Sequence, residues 1–195
     1  MLKMVKNRLY DCCIIILVVL FIIVISLIVL KYTNQNKQEK ELKNVAENIR
    51  EQIEENKINP NYKGYKILGI IKIPKIDMEY PIIDKTDEKA MKVSITKFWG
   101  NNINEIGNFS MAGHNYYGGT FFGDIKKLNN GDIIEMIDLT GRKIEYEIFD
   151  KYVTDPNDVT CVNSVENNRK EITLITCTNG RSNRLIIKAS EKIKG

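Results

Sequence analysis

The sequence predicts a mainly β domain, a closed barrel or a sandwich, carried behind an N-terminal apolar helix. Three observations predict it. Seven short β-branched runs lie between residues 65 and 190, separated by Gly, Asn, Asp and Pro clusters. An unbroken apolar stretch precedes them near the N-terminus. Between the two lies a charged segment whose apolar residues recur at helical spacing. A length of 195 residues with 43% hydrophobic content suits one domain plus an appendage, with room for a sizeable core.

Residues 14–30, IIILVVLFIIVISLIVL, hold Ser26 as their only polar position, and Cys12 and Cys13 extend the run at its start. A helix of roughly 20 such residues crosses a bilayer, so residues 12–30 read as a transmembrane anchor. A cleaved signal peptide has an apolar region of about 7–15 residues and a small-residue cleavage site. The following KYTNQNKQEK offers no such site, and the anchor is expected to be retained. The run shows no polar face, which disfavours the core helix of a soluble domain. Lys3, Lys6 and Arg8 precede the span, but Lys31, Lys37, Lys40 and Lys43 follow it, so the basic residues alone leave orientation open.

A polar stalk is expected over 31–61. Within it, residues 35–57 are highly charged, and Leu42, Val45, Ile49 and Ile53 form a stripe at helical spacing. Such a stripe suits packing on the domain, pairing with another chain, or a solvated spacer. Asn59-Pro60 stops the helix and sets the start of the domain, expected over 62–195.

Within the domain the runs KILGIIKIPKI, EYPIID, NFSMAGH, DIIEMIDL, KIEYEIFDKYV, EITLITC and RLIIKA read as strands, and AMKVSITKF and FFGDIKKL as short helices. Residues 62–195 carry 20 basic against 18 acidic side chains, without a basic stripe or interleaved aromatics. That balance excludes nucleic acid as a partner.

The domain holds one histidine, His114, and two cysteines, Cys161 and Cys177. Nucleophilic cysteine chemistry needs a thiolate, and a thiolate needs a basic or cationic neighbour. His114 is the only imidazole available, and it ends a strand run in MAGHNYYGG, where a side chain projects from a rim. Cys177 likewise ends EITLITC. A hairpin closing around TNGRSN sets Cys177 opposite Arg184, with Cβ atoms roughly 5 Å apart. Arg181 falls in the loop itself, so the hairpin favours Arg184 as the partner.

The order AGH, then TLITC, then an arginine opening the last strand resembles the sortases, cysteine transpeptidases of Gram-positive cell surfaces whose signature is TLxTC with a downstream Arg. GIIKIPKIDMEYPII and FFGDIKKLNNGDII also match that pattern, and the resemblance covers roughly residues 65–190. It implies an eight-stranded sortase-type β-barrel behind a transmembrane helix. It further implies a cysteine transpeptidase that cleaves an LPxTG-like sorting signal between Thr and Gly through a thioester. Cys177 would be the nucleophile, His114 the acid and base, and Arg184 the group that binds substrate and oxyanion. Thr176 and the Thr178 backbone N–H would assist substrate or oxyanion. The implied partners are surface proteins bearing the signal and an amine acceptor of peptidoglycan precursor or pilin. The implied topology places residues 1–11 in the cytoplasm and the domain outside.

The short loop from Cys177 to Arg184 and the lack of a second apolar span point to a class A or D-like member. Two other readings use the same residues. Papain-type hydrolases place Cys before His, the reverse of the order here, and the caspase pattern is absent. A catalytically inactive tethered barrel that binds surface polypeptides would need no intact triad. A Cys161–Cys177 disulfide would consume the nucleophile, so Cys161 is expected free, lining the groove or packed beneath the loop. Asp155, Asp158 and Glu105 are scattered acids, and no metal or cofactor is expected.

Overall fold

The computed structural model describes residues 2–55, 61–116, 118–164, 168–178, 180 and 182–193. They fall into two compact units, one ending at Lys37 and one beginning at Gln38. Helix α1 (Leu2–Glu54) contributes to both. In the first unit the large apolar side chains from Ile14 to Leu30 all stand exposed. The helix is long and apolar enough to cross a membrane. An apolar surface without protein cover is at home in hydrocarbon rather than water.

The second unit is built on β1 (Asn61–Tyr62), β2 (Tyr65–Ile73), β3 (Met78–Ile83), β4 (Ile95–Trp99), β5 (Gly107–Ala112), β6 (Ile133–Asp138), β7 (Lys143–Thr154), β8 (Lys170–Thr178) and β9 (Asn183–Glu191). Strand β1 is a two-residue addition to β2. The other eight run in the order β2-β3-β4-β5-β8-β9-β7-β6, and β6 pairs back onto β2. The result is an eight-stranded closed barrel. Two neighbouring pairs, β3–β4 and β5–β8, are parallel. Parallel neighbours require long crossovers, and the β5–β8 crossover contains the whole β6–β7 hairpin.

All seven sequence-predicted strands are present, and the eighth is β4, in the stretch expected to be helical. Only its front forms a helix: α2 (Glu88–Met91) starts where the Asp87 carboxylate accepts from the Lys89 and Ala90 N–H groups. Ile95 and Thr96 then bury themselves between β3 and β5, and that pairing overrides the local preference. In FFGDIKKL the helical part is a single 3-10 turn, Ile125–Lys127.

Alternate residues fill the barrel interior, among them Ile71, Tyr80, Met111, Phe122, Leu174 and Ile187. The stripe on α1 docks against this barrel. Leu42 joins the main core, while Ala46 and Ile49 pack with Ile67, Ile70 and Ile137. Polar contacts frame that seam: Arg50 pairs with Glu79, Lys43 Nζ lies 2.6 Å from Asp77, and the Tyr62 hydroxyl donates to Glu41 at 2.8 Å. The compact unit that holds the barrel thus includes the chain from Gln38 onward. Asn59-Pro60, expected to mark the start of the domain, lies outside the described residues.

Candidate active site

Strands β8 and β9 form an antiparallel ladder in which Cys177 pairs with Arg184, the register predicted from the hairpin. Pairing continues to Thr178 and Asn183, so the connecting loop is four residues rather than six. Because side chains alternate along a strand, Thr173, Ile175 and Cys177 share one face with Lys188, Ile186 and Arg184. This is the outer face of the barrel, since Ile172, Leu174, Leu185 and Ile187 fill the inside.

The connection between β7 and β8 folds back over that outer face. Its 3-10 turn, Thr160–Val162, seats Cys161 against Ile175 and Ile186. Three buried side chains of the barrel hold the turn by its carbonyls. Asn108 Nδ2 donates to Cys161 O at 3.1 Å and Val162 O at 2.9 Å, and Thr173 Oγ1 donates to Asn108 Oδ1 at 3.0 Å. Lys188 Nζ donates to Asn163 O at 2.7 Å. Between the turn and the rim remains a cavity of about 240 Å³ with Cys177 and Arg184 on its lining. Ile175, Ile186 and Cys161 also line it, as do Thr86, Met91 and Phe98 on one connection and Pro156, Asp158 and Val159 on another. Cys161 is a free thiol, 4% exposed, so it both packs beneath the loop and borders the groove. Burial, and then the Asp158 carboxylate, push that thiol above its ordinary range. Asp158 accepts hydrogen bonds from the Thr160 hydroxyl, the Thr154 hydroxyl and the Thr160 N–H, which pull its pKa down to about 2.

His114 arrives from a third strand. Parallel pairing sets Ala112 of β5 beside Ile175 of β8, and the Gly113 N–H donates to Ile175 O at 3.2 Å. Thr176, 3% exposed, donates its hydroxyl to Gly113 O at 2.7 Å. Asn115 Nδ2 donates to the Cys177 carbonyl at 2.7 Å. These three bonds bring the half-buried His114 to the level of Cys177. Gly113 is needed there because a Cβ would lie 2.6 Å from Ile95 Cδ1 and 2.8 Å from Phe122 Cδ2.

Cys177 and Arg184 thus line one groove, and the segment that bears His114 is held beside them, with Thr176 spent on linking β8 to that segment; the His114 ring itself is not among the groove-lining residues. Thr178 ends β8 opposite Asn183, and Arg184 Nη1 donates to Asn183 O at 3.2 Å. Arg181 lies outside the described residues. Among the described residues no cluster of His, Cys, Asp or Glu is placed to hold a metal ion. Sequence reasoning missed Asn115, whose only signal was its place beside the histidine, and the loop anchors Asn108 and Lys188, whose partners are distant in sequence.

Fold and site together define a β-barrel protein with a thiol and a guanidinium paired across the end of one hairpin and an imidazole on the segment bonded beside it. The sortase domain model matches residues 71–192, and the chain belongs to the sortase family. It is 29% identical over 126 residues to Sortase A of Bacillus anthracis, covering 64% of this chain and 59% of that protein. It is 27% identical over 110 residues to Sortase D of Bacillus subtilis strain 168, covering 56% of this chain and 53% of that protein. The chain thus matches little more than half the length of these relatives. Among solved structures, the Clostridium perfringens Sortase D5 transpeptidase superposes with a TM-score of 0.61 at 29% identity, over 82% of this chain and 98% of that one.

Proposed function

We propose that this protein is a membrane-anchored cysteine transpeptidase that cleaves an LPxTG-like sorting signal between Thr and Gly and passes the acyl group to an amine. The observation that carries this reading is the Cys177–Arg184 cross-strand pair at the head of a groove, tied by Asn115 and Thr176 to the segment that bears His114. The family membership and the transpeptidase from Clostridium perfringens support it.

In this reading the sorting peptide lies in the groove with its threonine carbonyl over Cys177. The thiolate attacks the carbonyl carbon, and the carbonyl electron pair moves to oxygen. Arg184 donates N–H groups to that oxyanion, with the Thr178 N–H as second donor. As the tetrahedral species collapses, the C–N bond breaks and the proton on His114 passes to the departing glycine amine. A thioester to Cys177 remains. His114 then removes a proton from the incoming amine, its nitrogen attacks the thioester carbon, and Cys177 leaves as thiolate. The acyl acceptors are peptidoglycan precursor or pilin amines, and the acyl donors are surface proteins bearing the signal. Such substrates place the domain outside the membrane, with residues 12–30 of α1 as the anchor and residues 1–11 in the cytoplasm.

Incubating the protein with an LPxTG-like peptide and a glycine-based amine tests the reading. A product that joins peptide acyl group to amine is expected. Hydrolysis alone would mark a cysteine hydrolase, and binding without turnover an inactive barrel; either result removes the proposal.

A further inference from the structure

Two side chains directly after His114 take no part in the chemistry above, yet both are held against it. Asn115 is exposed, and an exposed amide is ordinarily satisfied by water. Its Nδ2 instead reaches the Cys177 carbonyl at 2.7 Å. Tyr116 lays its ring on the imidazole, with centroids 5.0 Å apart and planes 20° from parallel. The stack continues into the core: Tyr116 meets Phe121 at 5.5 Å, and Phe121 meets Tyr80 at 6.2 Å edge-on. Phe121 and Tyr80 are fully buried, so the far end of this stack is rigid.

The backbone closes the same unit. Asn115 and Phe121 form an isolated antiparallel bridge, and the Phe122 N–H donates to His114 O at 3.0 Å. Gly123 lets the return strand pass, since a Cβ there would lie 2.3 Å from Tyr116 O. His114 therefore sits on a short loop that is clamped at one end to the core and at the other to the backbone of Cys177.

We propose that Asn115 and Tyr116 are positioning residues for the reaction. Tyr116 fixes the plane of the His114 ring, and Asn115 fixes the distance between the histidine loop and the end of β8. Among the described residues neither side chain lines the groove, and both instead hold the His114 ring or the end of β8, so their effect falls on the chemical step rather than on peptide binding. A misplacement of about 1 Å costs up to roughly 10²-fold in rate, which is the scale on which such a clamp acts. The rate consequence rests on the transpeptidase reading; the geometric consequence does not.

His114 is the only histidine of the chain, so its ring signals are unambiguous in NMR of the full protein in detergent micelles with labelled histidine. The wild-type ring protons are expected upfield, shielded by the Tyr116 ring. Tyr116→Leu should return them toward free-histidine positions, and Tyr116→Phe should keep them. In the peptide-plus-amine assay, Tyr116→Leu should lower kcat roughly tenfold with KM within about twofold. Tyr116→Phe should restore it. Asn115→Ala should lower kcat by a similar roughly tenfold factor, with partial rescue in Asn115→Gln, and should change the alkylation rate of Cys177. Unmoved ring protons in Tyr116→Leu, a Phe variant as slow as Leu, or losses confined to KM would each overturn the proposal. If the wild type turns over no peptide, the transpeptidase reading fails alone, and the ring shifts and Cys177 alkylation still decide the positioning.

Discussion

Replacing Leu42 by alanine tests whether residues 38–54 belong to the folded domain. Leu42 is fully buried and shares the main core with Ile71, Ile73 and Met78, so its truncation leaves a cavity as well as losing apolar contact. Leu→Ala changes at such sites cost about 2.7–5 kcal/mol, and a seam between helix and barrel relaxes more readily than a closed core. A loss of about 3 kcal/mol is expected. For a domain of this size each 1 kcal/mol moves the melting midpoint by about 2–4 °C, which predicts a fall of about 6–12 °C. The measurement is thermal and urea unfolding of a chain beginning at Gln38, followed by far-UV circular dichroism. Glu47→Ala, on the exposed face of the same helix, is the control and should stay within about 0.5 kcal/mol. If Leu42→Ala moves the midpoint no further than Glu47→Ala, the helix is not part of the cooperative unit and the compact domain does not extend to Gln38. A chain beginning at Tyr62 extends the test, because it uncovers Ile67 and Ile70 and should bind a hydrophobic dye that the longer chain does not.

Cys177→Ala should abolish both thioester formation and amine transfer while leaving the unfolding midpoint nearly unchanged, because the side chain is small and at a rim; an acyl-enzyme on that variant, seen by mass spectrometry, refutes the assignment. Arg184→Lys should lower kcat/KM by roughly 10²-fold, since a lysine point charge cannot present the two aligned N–H groups of a guanidinium. Arg181→Ala should stay within a few-fold of the wild-type rate, and the reverse ranking on one peptide would refute the choice of arginine. The Asp158 carboxylate has its pKa lowered in the fold from an ordinary 3.8 to about 2, so the anchoring it provides is complete above the ordinary value and is lost as pH falls from 3.8 toward 2. Protection of the Thr160 amide should therefore be flat from pH 7 to about pH 5, fall at lower pH, and be absent in Asp158→Ala; equal protection in that variant sinks the argument.

Much of this architecture was legible in residue order because it depends on local chemistry. The apolar run from Ile14 to Leu30 has no polar face to satisfy in water, so its reading as a candidate span needs no partner. The β8–β9 register was equally readable: a short loop and period-two alternation leave one pairing that buries Leu174 and Ile187, and that pairing sets Cys177 beside Arg184. Strand β4 was not readable, because ITKFW follows a helix-compatible AMKVS and becomes a strand only through burial between β3 and β5. The bond from the Thr176 hydroxyl to Gly113 O was not readable either, because it depends on a pairing between strands distant in sequence.

By itself the sequence determined the strand-rich domain, the apolar helix, and which thiol, imidazole and guanidinium were available, since each follows from residue type and spacing along one segment. Tertiary structure alone decided what those segments touch. The stripe of Leu42, Val45, Ile49 and Ile53 is compatible with a spacer, a second chain or a docked helix, and only the groove of Ile67, Ile70 and Ile137 selects among them. The segments that carry the imidazole and the thiol, 63 positions apart, lie side by side because β5 and β8 pair in parallel across a crossover that holds a complete hairpin. Tyr116 finds the His114 ring because Phe121 and Tyr80 are already packed beneath it. Such contacts join surfaces that no local pattern specifies, and their energy is realised only when the barrel closes.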